Sequence, residues 1–555
     1  MNLFLRSLLL ALVALSLGAC PNRVAPLEIK VVKPSDTGVG PDPLEGVAFI
    51  RVRVLDDLGE VVVEQKVDVG SGTANLEGLP SEVALRVQVA GLASDESIVS
   101  YGISPVFEIP GDIGENPEPI RRTVFLRAVE KFSPAVAAFD TSAPSRLSVP
   151  RAGHTATLLD DGRVLIAGGF QAANRVSHSW KYLASVEVYD PATGAVTTEI
   201  PDMMFKSGGG TTPRAFHSAV KLPSGQVLIS GGEATTGTGA AATMATVNNS
   251  ILFDPTVAEA PWAPIVTMKR YRSRHTATRE QNGRVLLYGG VDWGEGTNAA
   301  AFSDTFEWFD PEINRFRLPA TDLPPFKAIG HAALSVAGGQ FIAIAGGATV
   351  PGSGGSAELA DGDSIRFFKY EKDADRIQPL SSSGLKLDPK RSWAAVAPIG
   401  AAQFLVLGGF KDFNANEPWN LFPGSPHSGS DVIALKYSQE EPLKRIFGPS
   451  VDVPRGHICA VTLHDGRVLA IGGRGQPDPV KTPALIEAVS HNTLITESEG
   501  SIRSSRGSPL AEARYFHTCT LLNDGSVLVT GGMYEKGTNV TTLASMEIFV
   551  PYPAE

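Results

Sequence analysis

Six histidines, His154, His217, His275, His331, His457 and His517, fall at one position of a recurring segment. It reads RAGHTATLLDDGRVLIAGG at residues 151–169 and RYFHTCTLLNDGSVLVTGG at residues 514–532, with Trp393 standing in the remaining unit. A ring of imidazoles around a channel could hold a metal, but such a centre needs three or four converging ligands backed by further hydrogen bonds. Recurrence in nearly every unit is instead what a structural requirement produces. The histidines are therefore read as buried residues at the start of each inner strand, bonded to backbone and packed on glycine. No metal or other cofactor is called for.

Arg151, Arg214, Arg272, Arg391, Arg455 and Arg514 stand close to these positions. A guanidinium fork suits bidentate pairing, so their expected partners are loop carbonyls or a column of acids, Glu187, Glu307, Glu487 and Glu547. Cys459 and Cys519 each follow their histidine by two residues, where other units have Ala156, Ala219, Ala277, Ala333 and Ala395. A small buried position accounts for all of these. Two buried thiols are expected in preference to a bridge, which would require Cα atoms within about 7 Å.

The elements that carry these residues repeat seven times. Paired glycines recur at 168–169, 231–232, 289–290, 346–347, 408–409, 472–473 and 531–532, at steps of 57 to 64 residues. Each pair ends an apolar run that a tight turn introduces, such as DDGR, PSGQ, QNGR, HDGR or NDGS. A loop follows, then a third strand often ending in aromatic-Asp-Pro, as in VEVYDP and FEWFDP, then a fourth. Four antiparallel strands repeated seven times predict an all-β chain whose residues 133–555 form a seven-bladed β-propeller. The strand ending in Gly-Gly and the later Glu-x-aromatic-Asp-Pro resemble the kelch repeat of the galactose oxidase/kelch propeller superfamily, over about 420 residues. That resemblance implies a fold and leaves function open. The last unit stops after its third strand, SMEIFVP, so the segment 133–150 is expected to close the ring and remove a free sheet edge.

Ahead of the repeats, residues 28–130 hold alternating runs such as VAFIRVRVLD and EVALRVQVAG. They predict a small β-sandwich, immunoglobulin-like or transthyretin-like, serving as a spacer. Residues 20–27 read as a tether. Residues 1–19 read as a signal peptide, because one arginine precedes an apolar run too short to span a bilayer. The sequence Leu17-Gly18-Ala19-Cys20 resembles a bacterial lipobox, which implies lipidation of Cys20, a place in the bacterial cell envelope and, with Pro21 following, the outer membrane. A formal net charge of −11 argues against a nucleic-acid partner.

Three functions remain. A copper-radical oxidase like galactose oxidase would need a cysteine-linked tyrosine, a second tyrosine and two histidines, and the cysteines here sit in repeat positions. A sugar mutarotase of the kind known on kelch propellers would need an acid and a base at the channel mouth, for which Asp292, Asp361, Asp363 and Asp412 are candidates. The preferred reading is a membrane-anchored binding or scaffold lipoprotein for a glycan or an envelope protein. Its site is expected on the face that carries the long second-to-third links, through His178, Trp180, Tyr182, Trp293, Trp419, Phe422 and Tyr534.

Overall fold

A computed structural model describes residues 27–553 apart from 70–75, 77–78, 112–118, 176–178, 204–211, 237–242, 259–260, 264–265, 294–299, 304, 320–328, 349–363, 372–375, 380–384, 401–402, 413–424, 435–443 and 478–485. Cys20 and the apolar run before it lie outside those residues. Among the described residues the chain is all-β, with only the short 3-10 turns Pro34–Thr37 and Ala337–Gly339 beside its strands.

Seven four-stranded antiparallel sheets follow one another along the repeats. The first consists of Thr155–Leu158, Val164–Ala167, Val186–Asp190 and Ala195–Thr197, paired in chain order. Inner strands of successive sheets contact one another in a closed cycle, the seventh meeting the first. Burial follows from that arrangement. The second strands, VLIA, VLIS, VLLY, VLAI and VLVT, are buried along their length between neighbouring sheets. The first strands are half-buried because they line the axis. Each pair of adjacent sheets shares its own apolar core, as where Leu165, Val186 and Val188 of the first sheet meet Val227, Ile229 and Ile251 of the second.

The ring closes from its N-terminal side. Lys131–Pro134 pairs antiparallel with Met546–Val550 as the fourth strand of the seventh sheet, with Phe132 opposite Phe549. The closing strand is thus only the start of the stretch expected to supply it, because Val136–Ala137 and Asp140–Pro144 turn back on each other as a separate hairpin. Residues before it build a six-stranded sheet around Phe49–Leu55 and Ala84–Leu92, and a parallel pair, Leu27–Val32 with Ile120–Phe125. A common core of Ile29, Val52, Leu85, Val87 and Val124 lies between them. This unit docks on the ring through Glu130, which accepts from Arg467 and from the Tyr552 amide, and through Tyr552 Oη, which accepts from the Ile98 amide.

Candidate functional site

The recurring charged residues cement the sheets to each other. Arg151, Arg214, Arg272, Arg391, Arg455 and Arg514 are all fully buried. Each lends its carbonyl to the amide of the second glycine in a neighbouring unit, as from Gly169 to Arg214 and from Gly532 to Arg151. Arg151 pairs with Glu187, Arg272 with Glu307 and Arg514 with Glu547, as the acid column predicts. Glu487 does not belong to that column: it sits on a short strand of the loop face and accepts from the Gly537 amide. Its expected place opposite Ala470 is taken by Thr493, which with Asp452 satisfies Arg455. Asp431 serves Arg391, and among the described residues Arg214 bonds to the carbonyls of Gly231 and Asn249 and to the Asn249 side chain. With no acid beside it, burial brings the Arg214 guanidinium down to about 9.

The histidine column needs a correction of register. Cys459 pairs with Ile471 just before Gly472, as Thr155 pairs with Ala167 just before Gly168. The residue equivalent to His154 is therefore Ile458 in the sixth sheet and Ala394 in the fifth, while His457 and Trp393 lie one position earlier. The true column is His154, His217, His275, His331, Ala394, Ile458 and His517. Its histidines bond to hydroxyls across the sheet boundary rather than to backbone: His217 Nε2 to Thr155 Oγ1 at 2.9 Å, His275 to Ser218 at 3.0 Å, His331 to Thr276 at 2.9 Å and His154 to Thr518 at 3.2 Å. Where the hydroxyl position becomes Ala332 or Ala395, the next sheet carries Ala394 or Ile458, so donor and acceptor disappear together. His517 departs from this rule, because the corresponding residue of the sixth sheet is Cys459. Burial holds the imidazoles neutral, bringing His217 and His517 down to about 3.

The glycine pair is the other half of this joint. A Cβ on Gly168 would come within 2.9 Å of His217 Cε1, and one on Gly169 within 3.0 Å of His154 Cβ. Both glycines also have positive φ, 61° and 100°, where a side chain would be strained. The first makes room for the next unit's imidazole and the second for its own.

Corrected register also explains the cysteines. Cys459 and Cys519 are bridged, with Cα atoms 6.0 Å apart, against the expectation of two free thiols. Cys519 follows its column residue by two positions and Cys459 by one. Successive strand residues point to opposite sheet faces, so on adjacent sheets that face each other the one-residue offset is what brings the two side chains together.

One position before the column, the backbone turns left-handed in every ordinary residue that occupies it: Phe216, Arg274, Trp393, His457 and Phe516 have φ between 52° and 56°. Glycines fill it at 153 and 330. These residues meet at the axis. Phe516 lies 5.4 Å from Phe216 and 4.5 Å from His457, and His457 lies 5.0 Å from Trp393, between ring centroids. Amide bonds run from unit to unit through the same residues, from Gly153 to Phe516, Phe216 to Gly153, Arg274 to Phe216 and His457 to Trp393. The protein's own aromatic rings pack against one another here.

Around this plug stand the long second-to-third links. Among the described residues four of them carry two-stranded ribbons, such as Glu233–Thr236 with Thr243–Thr246 and Met533–Lys536 with Asn539–Thr542. They carry two separate buried carboxylates that sequence reasoning missed. Glu233 accepts from Ser273 Oγ at 2.8 Å and Arg274 at 2.6 Å, and lies against Tyr182. Glu535 accepts from Tyr515 Oη at 2.7 Å, from Arg474 at 2.9 and 3.1 Å, and from Arg175. Burial, followed by the neighbouring carboxylate, pushes the Tyr182 and Tyr515 phenols well above their ordinary range. A signal was present in the sequence: the residue after each glycine pair is apolar in most units, and Glu233 and Arg474 are the charged exceptions.

The expected ligand-binding aromatics fare unevenly. Trp180 is 3% exposed, stacked on Phe170 at 3.9 Å and donating to the Asn174 carbonyl, and Tyr182 is buried beside it. Both pin their own loop, which corrects the expectation that they present open surface. Tyr534 is half-buried on its ribbon. Trp293 pairs through its backbone with Ala300. His178, Trp419 and Phe422 lie outside the described residues, as do Asp361 and Asp363. Asp412 is exposed and accepts from the Ser425 amide at 2.6 Å. Asp292 is half-buried, and that burial raises its carboxyl. Among the described residues no three metal-ligating side chains converge.

No family model matches the chain, and no curated protein matches it either. Among solved structures it is similar to a fungal alcohol oxidase of the AA5 family in complex with copper, with a TM-score of 0.51 and 15% identity over 73% of this chain and 75% of that one. The structure of YjhT matches with a TM-score of 0.40 and 15% identity over 65% of this chain and 98% of that one. The chain has the β-propeller fold of galactose oxidase type.

Proposed function

We propose that the chain is a lipoprotein anchored through Cys20, with an immunoglobulin-like or transthyretin-like spacer and a seven-bladed kelch-type propeller that binds a glycan or an envelope protein. The contact surface is the rim of ribbons on the long-link face. The observation that supports this reading is the state of that face's centre. Its aromatic rings pack against one another, and Glu233 and Glu535 are both engaged by arginine, so neither is a spare base. Capture of one envelope component by the full chain, lost on substitution along the rim, tests it.

A second reading, a carbohydrate-active enzyme, is favoured by the fold likeness to an alcohol oxidase. The copper-radical form does not fit these residues. Cys459 and Cys519 are joined to each other, and the column imidazoles are buried between sheets. An acid–base form fits better, with the raised carboxyl of Asp292 as its acid. Mutarotation and coupled oxidase assays with reducing sugars decide between the readings: turnover that Asp292→Asn abolishes establishes the enzyme and ends the pure binding role.

A further inference from the structure

The opposite face of the ring carries a cavity that neither reading uses. It measures about 390 Å³ and lies where the N-terminal unit meets the tight turns of the first and seventh sheets. That size is within the range of small-molecule sites, about 300–1,000 Å³, and such sites favour domain junctions. Arg127 lines it. This side chain is only 5% exposed, it lies over the Phe125 ring at 5.0 Å, and its guanidinium forms no hydrogen bond or ion pair with a described residue. Arg86 lines the same space from Ala84–Leu92, two strands away in the same sheet, beside Tyr101.

Acids line the cavity too, but each is already engaged. Asp160 pairs with Lys221 and Asp161 with Arg163, Asp190 accepts from Ala192 and Thr193, and Asp524 accepts from Ser526. Burying a cation without a partner is strongly unfavourable. A fold keeps one where an arriving ligand offsets the penalty. The guanidinium fork matches a planar carboxylate, while Tyr101, Phe125, Val106 and Tyr189 make the remaining wall largely apolar. The four nearby acids disfavour a doubly charged anion. We infer that the junction binds a small organic monocarboxylate with an apolar or aromatic body, its carboxylate on Arg127 and Arg86. Burial that lowers the Arg127 proton affinity, and would be relieved by such an anion, agrees with this.

The inference stands apart from the proposed rim site and is tested separately. Full-length chain is titrated calorimetrically with benzoate, with benzamidine as the cation of the same shape and with inorganic phosphate as an anion lacking an apolar body. The expected result is saturable one-to-one benzoate binding, no benzamidine binding, and at least a tenfold loss in Arg127→Met, about what one charged hydrogen-bond pair contributes. Arg127→Lys keeps the charge without the fork and should lose less. Without ligand, Arg127→Met should melt at or above the wild-type temperature, because it removes a buried charge that forms no ion pair and is only partly offset by Asp524. Absence of saturable benzoate binding, phosphate binding in its place, or equal benzoate affinity in Arg127→Met would overturn the inference. So would a marked fall in the melting temperature of Arg127→Met, which would make the arginine a structural residue.

Discussion

The two faces of the ring treat buried charge in opposite ways. On the long-link face, Glu233 and Glu535 are buried and each is met by arginine, a tyrosine and, for Glu233, a serine. On the tight-turn face, Arg127 is also buried but forms no ion pair among the described residues, meeting an aromatic ring and a cavity with Tyr189 and Asp524 acting on it only through space. Loop length points to the first face and polar satisfaction to the second. The extra chain on the long-link face is largely spent holding itself together. Tyr182, Glu233 and Arg274 come from the first three units, and Arg474, Glu535 and Arg175 from the sixth, the seventh and again the first. These networks join neighbouring units above the plug and leave little there to be satisfied by a ligand. Length of connection shows where sequence can vary; an unmet hydrogen-bonding requirement is the stronger sign of something missing.

Acid should produce the largest effect, since the histidine joints support both faces. His217 and His517 are brought down to about 3 when folded, against an ordinary value near 6.5. The unfolded chain therefore binds more protons, and stability is complete above pH 6.5 and drains away between pH 6.5 and 3. From pH 7 to pH 4 each of the two should cost about 3 kcal/mol. Urea midpoints across this interval test it, and both faces should lose structure together. A flat profile, or one face failing first, would break the idea of a shared joint.

Next in size is Glu535→Ala. It takes the shared carboxylate away from buried Arg474 and the Tyr515 hydroxyl, so about 3–5 kcal/mol of stability should go, against no loss for Arg127→Met. Equal behaviour of the two variants would erase the contrast between the faces. Trp180→Ala belongs beside it. The indole is buried on Phe170, and truncation should cost about 3–5 kcal/mol, where an open binding residue would cost almost nothing. Reduction of Cys459–Cys519 releases a 60-residue span, worth about 4 kcal/mol at most by loop-closure entropy.

Much of the architecture could be read from the chain because it rests on local rules repeated seven times. Paired glycines, tight turns and an apolar second strand each announce themselves within a few residues. The site could not be read in the same way. Aligning His457 with His517 looks natural by letter, but register is set by which residue pairs with the one before the glycines, and a strand slip of one residue exchanges faces. That single slip hid the plug, moved Cys459 off its true position and made a bridge look unfavoured. Glu487 was drawn into the acid column by the same kind of match. Trp180 and Tyr182 show a different limit. Nothing local distinguishes an aromatic that meets a ligand from one that anchors its own loop, since that depends on Phe170 and Glu233 arriving from elsewhere. Arg127 was invisible because an unpaired cation is defined by partners that fail to arrive.

The smallest expected change in stability belongs to Tyr534→Ala, and it bears most directly on the rim. Tyr534 sits on the ribbon Met533–Lys536, opposite Thr541, and is half-buried. Its backbone pairing survives truncation, so the melting temperature should move by the equivalent of about 1 kcal/mol or less. If the rim is a contact surface, an aromatic in this setting can still contribute about 2 kcal/mol to binding, so capture of the envelope partner by the variant should fall more than tenfold while the fold stands. Trp180→Ala would show the reverse, a loss of stability large enough to account for any loss of capture. Tyr534→Ala with undiminished capture would place the contact elsewhere.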